Sequence, residues 1–240
     1  MKIIIKIGTA AVFDSEKKKI KEDILEKLAR DISILIKQGN EIILVTSGAV
    51  GCGRNFIDGE NEIGLKQAQA SVGQILLMKK YSEIFSKRNL LIAQFLIDSK
   101  DLNDKVKVEN ILESYKNLRG KAIPIVNEND VTSVGELKVG DNDSLASKLL
   151  LNMNFDILII LTEIGALIKN GQPLKTSDFF SVENYDKMEI PLKGFGGLKS
   201  KLECAKKVVD CKKRCIIAKA GDSIKDILNK DADATEFYKE

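Results

Sequence analysis

The sequence predicts an α/β fold, an open, mainly parallel sheet sandwiched by helices, in a single domain spanning residues 1–240. Three observations predict it. Short β-branched runs alternate with longer segments whose apolar residues recur at helical spacing, in the order strand, helix, strand, helix, strand. The runs are almost continuously apolar, as strands covered on both faces of a parallel sheet are. Most of them break at the carboxyl end into glycine, hydroxyl, amide or carboxylate residues, and that is the edge where open parallel sheets bind ligands.

The elements follow in order. Ile3-Ile-Ile-Lys-Ile7 reads as a buried strand feeding the turn at Gly8-Thr9. Lys6 interrupts it, and a lysine in a core strand either snorkels to water at the strand end or binds an anion. Ile24 to Ile36 places Ile24, Leu25, Leu28, Ile32, Leu35 and Ile36 on one helix face, stopped by Gly39-Asn40. The strand Glu41–Val45 then runs into Thr46-Ser-Gly-Ala-Val-Gly51, where small residues at Ser47 and Gly48 let backbone amides approach an anion at a helix start, or make an ordinary turn. Leu65 to Arg88 is helical, with Gly73 as a close packing point or a break; Leu91 to Ile97 is a strand, Val106 to Leu118 a helix, and Ala122 to Val126 a strand. Asp156 to Leu161 is another apolar strand ending in Thr162-Glu163, Asn170-Gly171 reads as a tight hairpin turn, Gly194 to Lys201 opens a helix through Val209, and Cys215 to Lys219 is expected as the last strand. Four strands thus deliver Gly8, Ser47, Asn127 and Thr162 to one edge. The chain has no internal repeat, low-complexity tract or proline-rich linker, which favours one domain.

Composition narrows the function. With 38 basic and 35 acidic side chains the net charge is +3, without the basic excess that implies a nucleic-acid partner. No stretch approaches the roughly 20 apolar residues of a membrane span, and the start carries no secretion signal, so a cytoplasmic, soluble protein is expected. Cys52, Cys204, Cys211 and Cys215 form no CxxC pair and read as reduced thiols and core fillers, with no protein-held metal expected. Histidine is absent, which removes the usual general base.

The chemistry concentrates between Pro124 and Ala146. Asn127-Glu-Asn-Asp130 ends a strand, a polar excursion passes Gly135 and Lys138, and Gly140-Asp-Asn-Asp143 precedes the helical pattern of Leu145, Ala146, Leu149 and Leu150. Short carboxylates and amides on rigid elements suit a small ligand with an ammonium group. Each cluster alone also fits a turn, or a helix N-cap at Asp141, Asn142 or Asp143. The loop Gly194-x-Gly-Gly with Lys199 and Lys201 at a helix start is a candidate phosphate cradle, outside the Walker and dinucleotide patterns.

Taken with Ile5-Lys-Ile-Gly-Thr9, Val45-Thr-Ser-Gly-Ala49, Val139-Gly-Asp-Asn-Asp-Ser-Leu145 and Leu161-Thr-Glu163, these segments resemble the amino-acid kinase family and, within it, the glutamate 5-kinases, from residue 3 to about residue 220. Lys66-Gln67 and Val72-Gly73-Gln74 look like the glutamate-side helix of those enzymes. The resemblance implies the amino-acid kinase fold and transfer of the γ-phosphoryl group of ATP, with Mg2+, to the side-chain carboxylate of L-glutamate, giving glutamyl 5-phosphate, the first step of proline synthesis. It implies Lys6, Lys201 and Asp143 as catalytic residues, Lys6 bridging the phosphates and the developing charge, Lys201 holding the nucleotide phosphates and Asp143 positioning both. Gly8 and Gly48 would cradle the transferred group; Ser47, Asn127, Asp130, Asp141 and Asn142 would bind glutamate, Asp130 through the α-ammonium. Thr162, Glu163 and the run Phe195, Gly196, Gly197, Leu198, Lys199, Ser200, Lys201 match the nucleotide side. Packed homodimers or homotetramers are usual in the family.

The sequence departs from the family pattern at four places. Thr162-Glu163 stands where Thr-Asp is usual, and the short turn at Asn170-Gly171 replaces a longer segment with an Asp-Pro-Arg motif. Phe195 and Leu198-Lys199 stand where Thr and Met are usual, and Asp233-Ala-Thr-Glu-Phe237 lacks the closing Gly-Thr. A kinase domain without the PUA domain of many relatives is expected. Alternatives are the same fold acting on acetylglutamate, aspartate, carbamate, UMP or an isoprenoid phosphate, the last disfavoured by the missing histidine, or a catalytically weak protein that senses nucleotide or amino acid.

Overall fold

Four isoleucines around Lys6 build β1 (Lys2–Ile7). In this computed structural model, which describes residues 1–59, 63–133, 142–169, 172–178 and 195–238, β1 is followed by the single turn α1 (Thr9–Val12), a hairpin of β2 (Phe13–Asp14) and β3 (Lys19–Ile20), and α2 (Glu22–Lys37). Next come β4 (Glu41–Val45), the short α3 (Ala49–Gly53), the long α4 (Ile63–Ser86), β5 (Ile92–Ile97), α5 (Lys105–Leu118) and β6 (Ile123–Glu128). Then follow α6 (Asn142–Asn152), β7 (Ile157–Thr162), the paired β8 (Ile168–Lys169) and β9 (Gln172–Pro173), β10 (Thr176–Asp178), α7 (Phe195–Asp210), β11 (Arg214–Lys219), α8 (Ile224–Asn229) and β12 (Ala234–Tyr238).

Eight strands hydrogen-bond in the order β10-β12-β11-β7-β1-β4-β6-β5, and within that sheet only β11 with β12 is antiparallel. The period of two along each strand sorts the side chains into two cores. Ile3, Ile5 and Ile7 of β1 join Ile42, Leu44 and Ile125 on the face covered by α2, α4 and α8, where Leu25, Ile32, Leu77, Tyr81 and Phe85 are buried. Ile4 joins Ile43, Val45, Val126 and Leu158 on the other face, against Leu145, Leu149 and Val208 of α6 and α7. Each fully buried side chain of this size contributes roughly 1.5–3 kcal/mol, so the register of β1 is strongly specified. That register puts Lys6 on the α6–α7 face, one position beyond the last apolar residue on that side.

The fold class is the one the sequence predicts: helices on both faces of a mostly parallel sheet. Two boundaries differ. Cys215–Lys219 falls in β11, but β11 is not the last strand, since β12 pairs with it. The strand expected to end at Val126 continues to Glu128, because Asn127 and Glu128 pair with Leu96 and Ile97 of β5. The turn at Asn170-Gly171 lies outside the described residues, although Lys169 pairs with Gln172 on its two sides. Gly135, Lys138, Asp141 and Gly194 also lie outside them.

Candidate active site

β7, β1, β4 and β6 are neighbours and parallel, so their carboxyl ends bring Thr162, Gly8, Ser47 and Asn127 to a single edge, as the sequence predicts. At its centre the Lys6 Nζ lies 2.7 Å from Asp143 Oδ1, and the Lys201 Nζ lies 2.9 Å from Asp143 Oδ2. Lys201 also donates to Gly197 O at 3.0 Å. Lys6 and Asp143 are 5% and 4% exposed. Burial pushes the Asp143 carboxyl up, but the charges of Lys6 and Lys201 outweigh it and hold the group below its usual range. Two ammonium groups on one carboxylate leave a net positive charge away from water, an arrangement suited to an anion such as a phosphoryl group. Lys6 therefore does not snorkel; its partner is an acid on α6.

On one side of this triad an uncharged network runs through the buried end of β6. Asn142 donates from Nδ2 to Ser47 Oγ at 3.2 Å and accepts the Glu128 N–H at Oδ1, 3.1 Å away. The Glu128 N–H is shared with Asn127 Oδ1 at 3.0 Å, Asn127 Nδ2 donates to Gln74 Oε1 at 2.7 Å, and Gln74 Nε2 donates to Gln94 Oε1 at 3.2 Å. Gln74 reaches this position because α3 and α4 touch backbone to backbone: a Cβ on Gly53 would sit 1.8 Å from Gln69 O, and one on Gly73 1.8 Å from Ala49 O. Gly73 is thus the close packing point, not a break. Gly48, at φ +106°, caps α3 in a conformation that favours glycine, and its N–H has no partner among the described residues. The turn weighed for this cluster starts at Asn129, whose carbonyl accepts from Thr132 and Ser133. Asp130 lies in that turn, half-buried and without a hydrogen-bond or ion-pair partner among the described residues; burial pushes its carboxyl up to about 6.

The other side is held by backbone and by exposed charge. Thr162 Oγ accepts the Gly165 N–H at 2.8 Å, and Thr162 O accepts the Ala220 N–H at 2.7 Å. Glu163 is exposed and pairs with Lys21 at 2.7 Å, joining the loop after β7 to the start of α2. The Gly8 N–H donates to Leu161 O at 3.2 Å, so the ladder between β1 and β7 runs one residue past the strand and that amide is not free to cradle a phosphate. Phe195, Gly196, Leu198, Lys199 and Ser200 begin α7 beside Gly197 and Lys201; the side chains of Phe195, Leu198 and Lys199 lie outside the described residues. Cys204, on the turn of α7 after Lys201, donates to Asp143 O at 3.1 Å. The four cysteines form no disulfide, and no group of three His, Cys, Asp or Glu side chains that could hold a metal occurs among the described residues.

The sequence profile of the amino acid kinase family matches residues 1–219. The chain belongs to that family. Among its curated relatives, a glutamate 5-kinase of Dictyoglomus thermophilum is 34% identical over 99% of this chain and 67% of its own length. One of a Thermoanaerobacter species is 35% identical over 99% of this chain and 66% of its own. The chain therefore spans about two thirds of the length of these relatives. In fold, this amino acid kinase is similar to the carbamate kinase of Giardia lamblia bound to AMP-PNP, with a TM-score of 0.70 at 15% identity over 100% of this chain and 98% of that one. It is also similar to the UMP kinase of Ureaplasma parvum, at TM-score 0.65 and 14% identity over 99% of each chain.

Sequence reading missed two contributors to the site of this amino acid kinase. Gln94 interrupts the apolar run of β5 much as Lys6 interrupts β1, and that interruption is the signal that marks it. Lys21 is one of several lysines near the start of α2, and nothing local distinguishes it.

Proposed function

We propose that this chain transfers the γ-phosphoryl group of MgATP to the side-chain carboxylate of L-glutamate, forming L-glutamyl 5-phosphate, the first step of proline biosynthesis. The observation that carries the reading is the first turn of α6, where Asn142 joins the acceptor-side network and the adjacent Asp143 holds both lysines. Consecutive residues thus tie an ammonium-seeking wall to a phosphate-seeking one. The names of the curated relatives point to the same acceptor.

The chemistry fits these side chains. A carboxylate oxygen of glutamate attacks the γ-phosphorus; the new O–P bond forms as the bond to the β,γ-bridging oxygen breaks, and ADP leaves with that electron pair. A side chain with a pKa of about 4.3 is already ionised at neutral pH, so no base is needed and a protein without histidine loses nothing. The barrier is repulsion between anions, roughly 4 kcal/mol for two unit charges ~4 Å apart at an effective dielectric near 20. Lys6 offsets it at the reacting group, Lys201 grips the nucleotide phosphates, and Asp143 keeps both ammonium groups in place. Asp130 takes the α-ammonium, with Asn127, Asp141, Asn142 and Ser47 as the other residues assigned to the amino acid. Thr162, Glu163 and the start of α7 from Phe195 to Lys201 face the nucleotide. The metal enters on the phosphates of ATP, as Mg2+ does where few protein ligands are offered.

The test supplies MgATP, L-glutamate and hydroxylamine, trapping the acyl phosphate as a hydroxamate, and repeats the assay with acetylglutamate, aspartate and carbamate, and with UMP followed by ADP release. Strong product with glutamate alone is expected. Faster turnover of any rival acceptor, or none with glutamate, would sink the reading.

The same proposal takes residues 1–240 as one kinase domain acting in the cytoplasm, without a nucleic-acid partner, as a homo-oligomer. Supporting the last point, the edge strand β5 leaves Leu96 exposed, and Leu91 just before it and Ile75 of α4 are exposed too. No helix among the described residues is long and apolar enough to cross a membrane.

A further inference from the structure

Glu128 is the last residue of β6 and carries a buried carboxyl that the chemistry above does not use. It is 3% exposed, yet it sits between Asn127 and the turn holding Asp130. The alternation along β6 points Asn127 toward Gln74 on α4 and Glu128 toward the opposite face, the one covered by α6. There Oε1 accepts the Ser99 N–H at 2.9 Å, while Ser99 O accepts from Lys148 Nζ of α6 at 3.0 Å. Ser99, just beyond β5, is therefore held on both sides, through its N–H by β6 and through its C=O by α6. The Glu128 N–H, in turn, donates to Asn142 Oδ1 in the first turn of the same helix. Its other carboxyl oxygen, Oε2, is enclosed and makes no well-formed hydrogen bond among the described residues, with the Ser133 hydroxyl acting on the carboxyl only weakly, a costly state for an ionised group.

We propose that Glu128 is a positioning residue for the acceptor side: its carboxyl, linked through Ser99 to Lys148, clamps the end of β6 against α6 so that Asn127, Asp130 and Asn142 keep the spacing an amino-acid substrate requires. The clamp needs a hydrogen-bond acceptor and not a negative charge. Burial pushes the Glu128 carboxyl up to about 7 against the Ser99 N–H, with Asp98 and Asp130 adding to the rise and the Ser133 hydroxyl opposing it slightly. The charged groups around it are Asp98 and Asp101 in the turn after β5, Asp130 after β6, and Lys148 on α6. This inference rests on glutamate being the acceptor, and its test separates the two ideas.

Glu128→Ala and Glu128→Gln are compared with the parent chain for glutamate and ATP kinetics, and for hydrogen exchange of the Ser99 amide and of residues 127–130. Glu128→Ala is expected to raise KM for glutamate at least about tenfold while kcat and KM for ATP change less than about threefold, and to expose the Ser99 amide. Glu128→Gln, which keeps an acceptor oxygen, is expected to restore KM within about twofold and to keep that amide protected. Lys148→Met, releasing the Ser99 carbonyl, should raise KM in the same direction and add little to Glu128→Ala. An unchanged KM in Glu128→Ala, an equal loss in kcat and both KM values, or a Gln variant as impaired as the Ala variant would overturn the proposal. A parent chain without hydroxamate product would instead remove the glutamate reading, and the exchange measurement would still decide whether Glu128 holds the two elements together.

Discussion

The side of the site proposed for the acceptor is wired by neutral hydrogen bonds, a buried chain through Ser47, Asn142, Asn127 and Gln74 that ends on the exposed Gln94 of β5. The nucleotide side is held by strand-end backbone bonds and by the exposed pair Lys21–Glu163. Buried amides in low dielectric fix one geometry, because a broken link leaves a polar group unpaired at about 1–3 kcal/mol. An exposed ion pair is worth only ~0–1 kcal/mol and tolerates exchange. Under the proposed function, the difference teaches where this enzyme discriminates: the small acceptor would meet a rigid wall, and the larger nucleotide a yielding one. Two of the departures from the family pattern, at Glu163 and along Phe195 to Lys199, fall on that second side.

The comparison can be broken at its centre first. Lys6→Ala removes the cation assigned to the reacting group and is expected to lower kcat about 10²- to 10³-fold with little change in KM for glutamate, measured by steady-state kinetics. A large rise in KM instead would move Lys6 from the reaction centre to ground-state binding. Asp130→Asn comes next: losing one charge-assisted contact to an ammonium should raise KM for glutamate roughly 10- to 100-fold and leave kcat nearly intact.

Asp130 also sets a pH dependence. Its carboxyl is raised from the usual 3.8 to about 6 by burial, so the free protein holds a proton there below pH 6 that the ammonium must displace. Between pH 6 and 5, KM for glutamate is therefore expected to climb toward tenfold per unit, and Asp130→Asn should flatten that limb. The stability sign follows the same shift. With the folded group raised, the unliganded chain loses stability as pH rises from about 3.8 to about 6, and thermal stabilisation by glutamate should be larger at pH 7 than at pH 5.

Gly73→Ala tests whether the rigid wall depends on the α3–α4 contact. A methyl group aimed at Ala49 O should destabilise the fold by about 1–3 kcal/mol and raise KM for glutamate several-fold through Gln74, with KM for ATP unchanged. Lys21→Met is the smallest perturbation, expected to change KM for ATP by no more than about threefold and melting temperature hardly at all. A tenfold effect there would mean the nucleotide side is as tightly specified as its counterpart.

Legibility in the sequence followed how local each signal was. β1, β4 and β7 stand out because a β-branched run bounded by glycine or threonine needs no partner to be recognised. β12 did not stand out: Ala234-Thr-Glu-Phe-Tyr238 is short and half polar, and it becomes a strand by pairing with β11 and by Thr235 serving the Leu167 N–H and Leu174 O. Lys6 was conspicuous as a charge inside an apolar run, whereas Lys21 became distinct only through Glu163, 142 residues away in the chain. The Asn127–Asp130 and Asn142–Asp143 clusters were visible as clusters, but their alternatives, turn or cap against site, turned on neighbours that composition does not name.

By itself, the sequence determined the kind of fold and the groups able to react: strand and helix periods are properties of a few consecutive residues, and the side-chain chemistry travels with the letter. Tertiary structure decided that β7, β1, β4 and β6 lie side by side and that the Gly8 N–H is spent on the sheet, and it gave the contacts of Asp143 with Lys6 and Lys201 that only the family resemblance had implied. Those outcomes depend on strand order and helix placement across more than a hundred residues, set by the packing of two cores at once, and no local pattern encodes them.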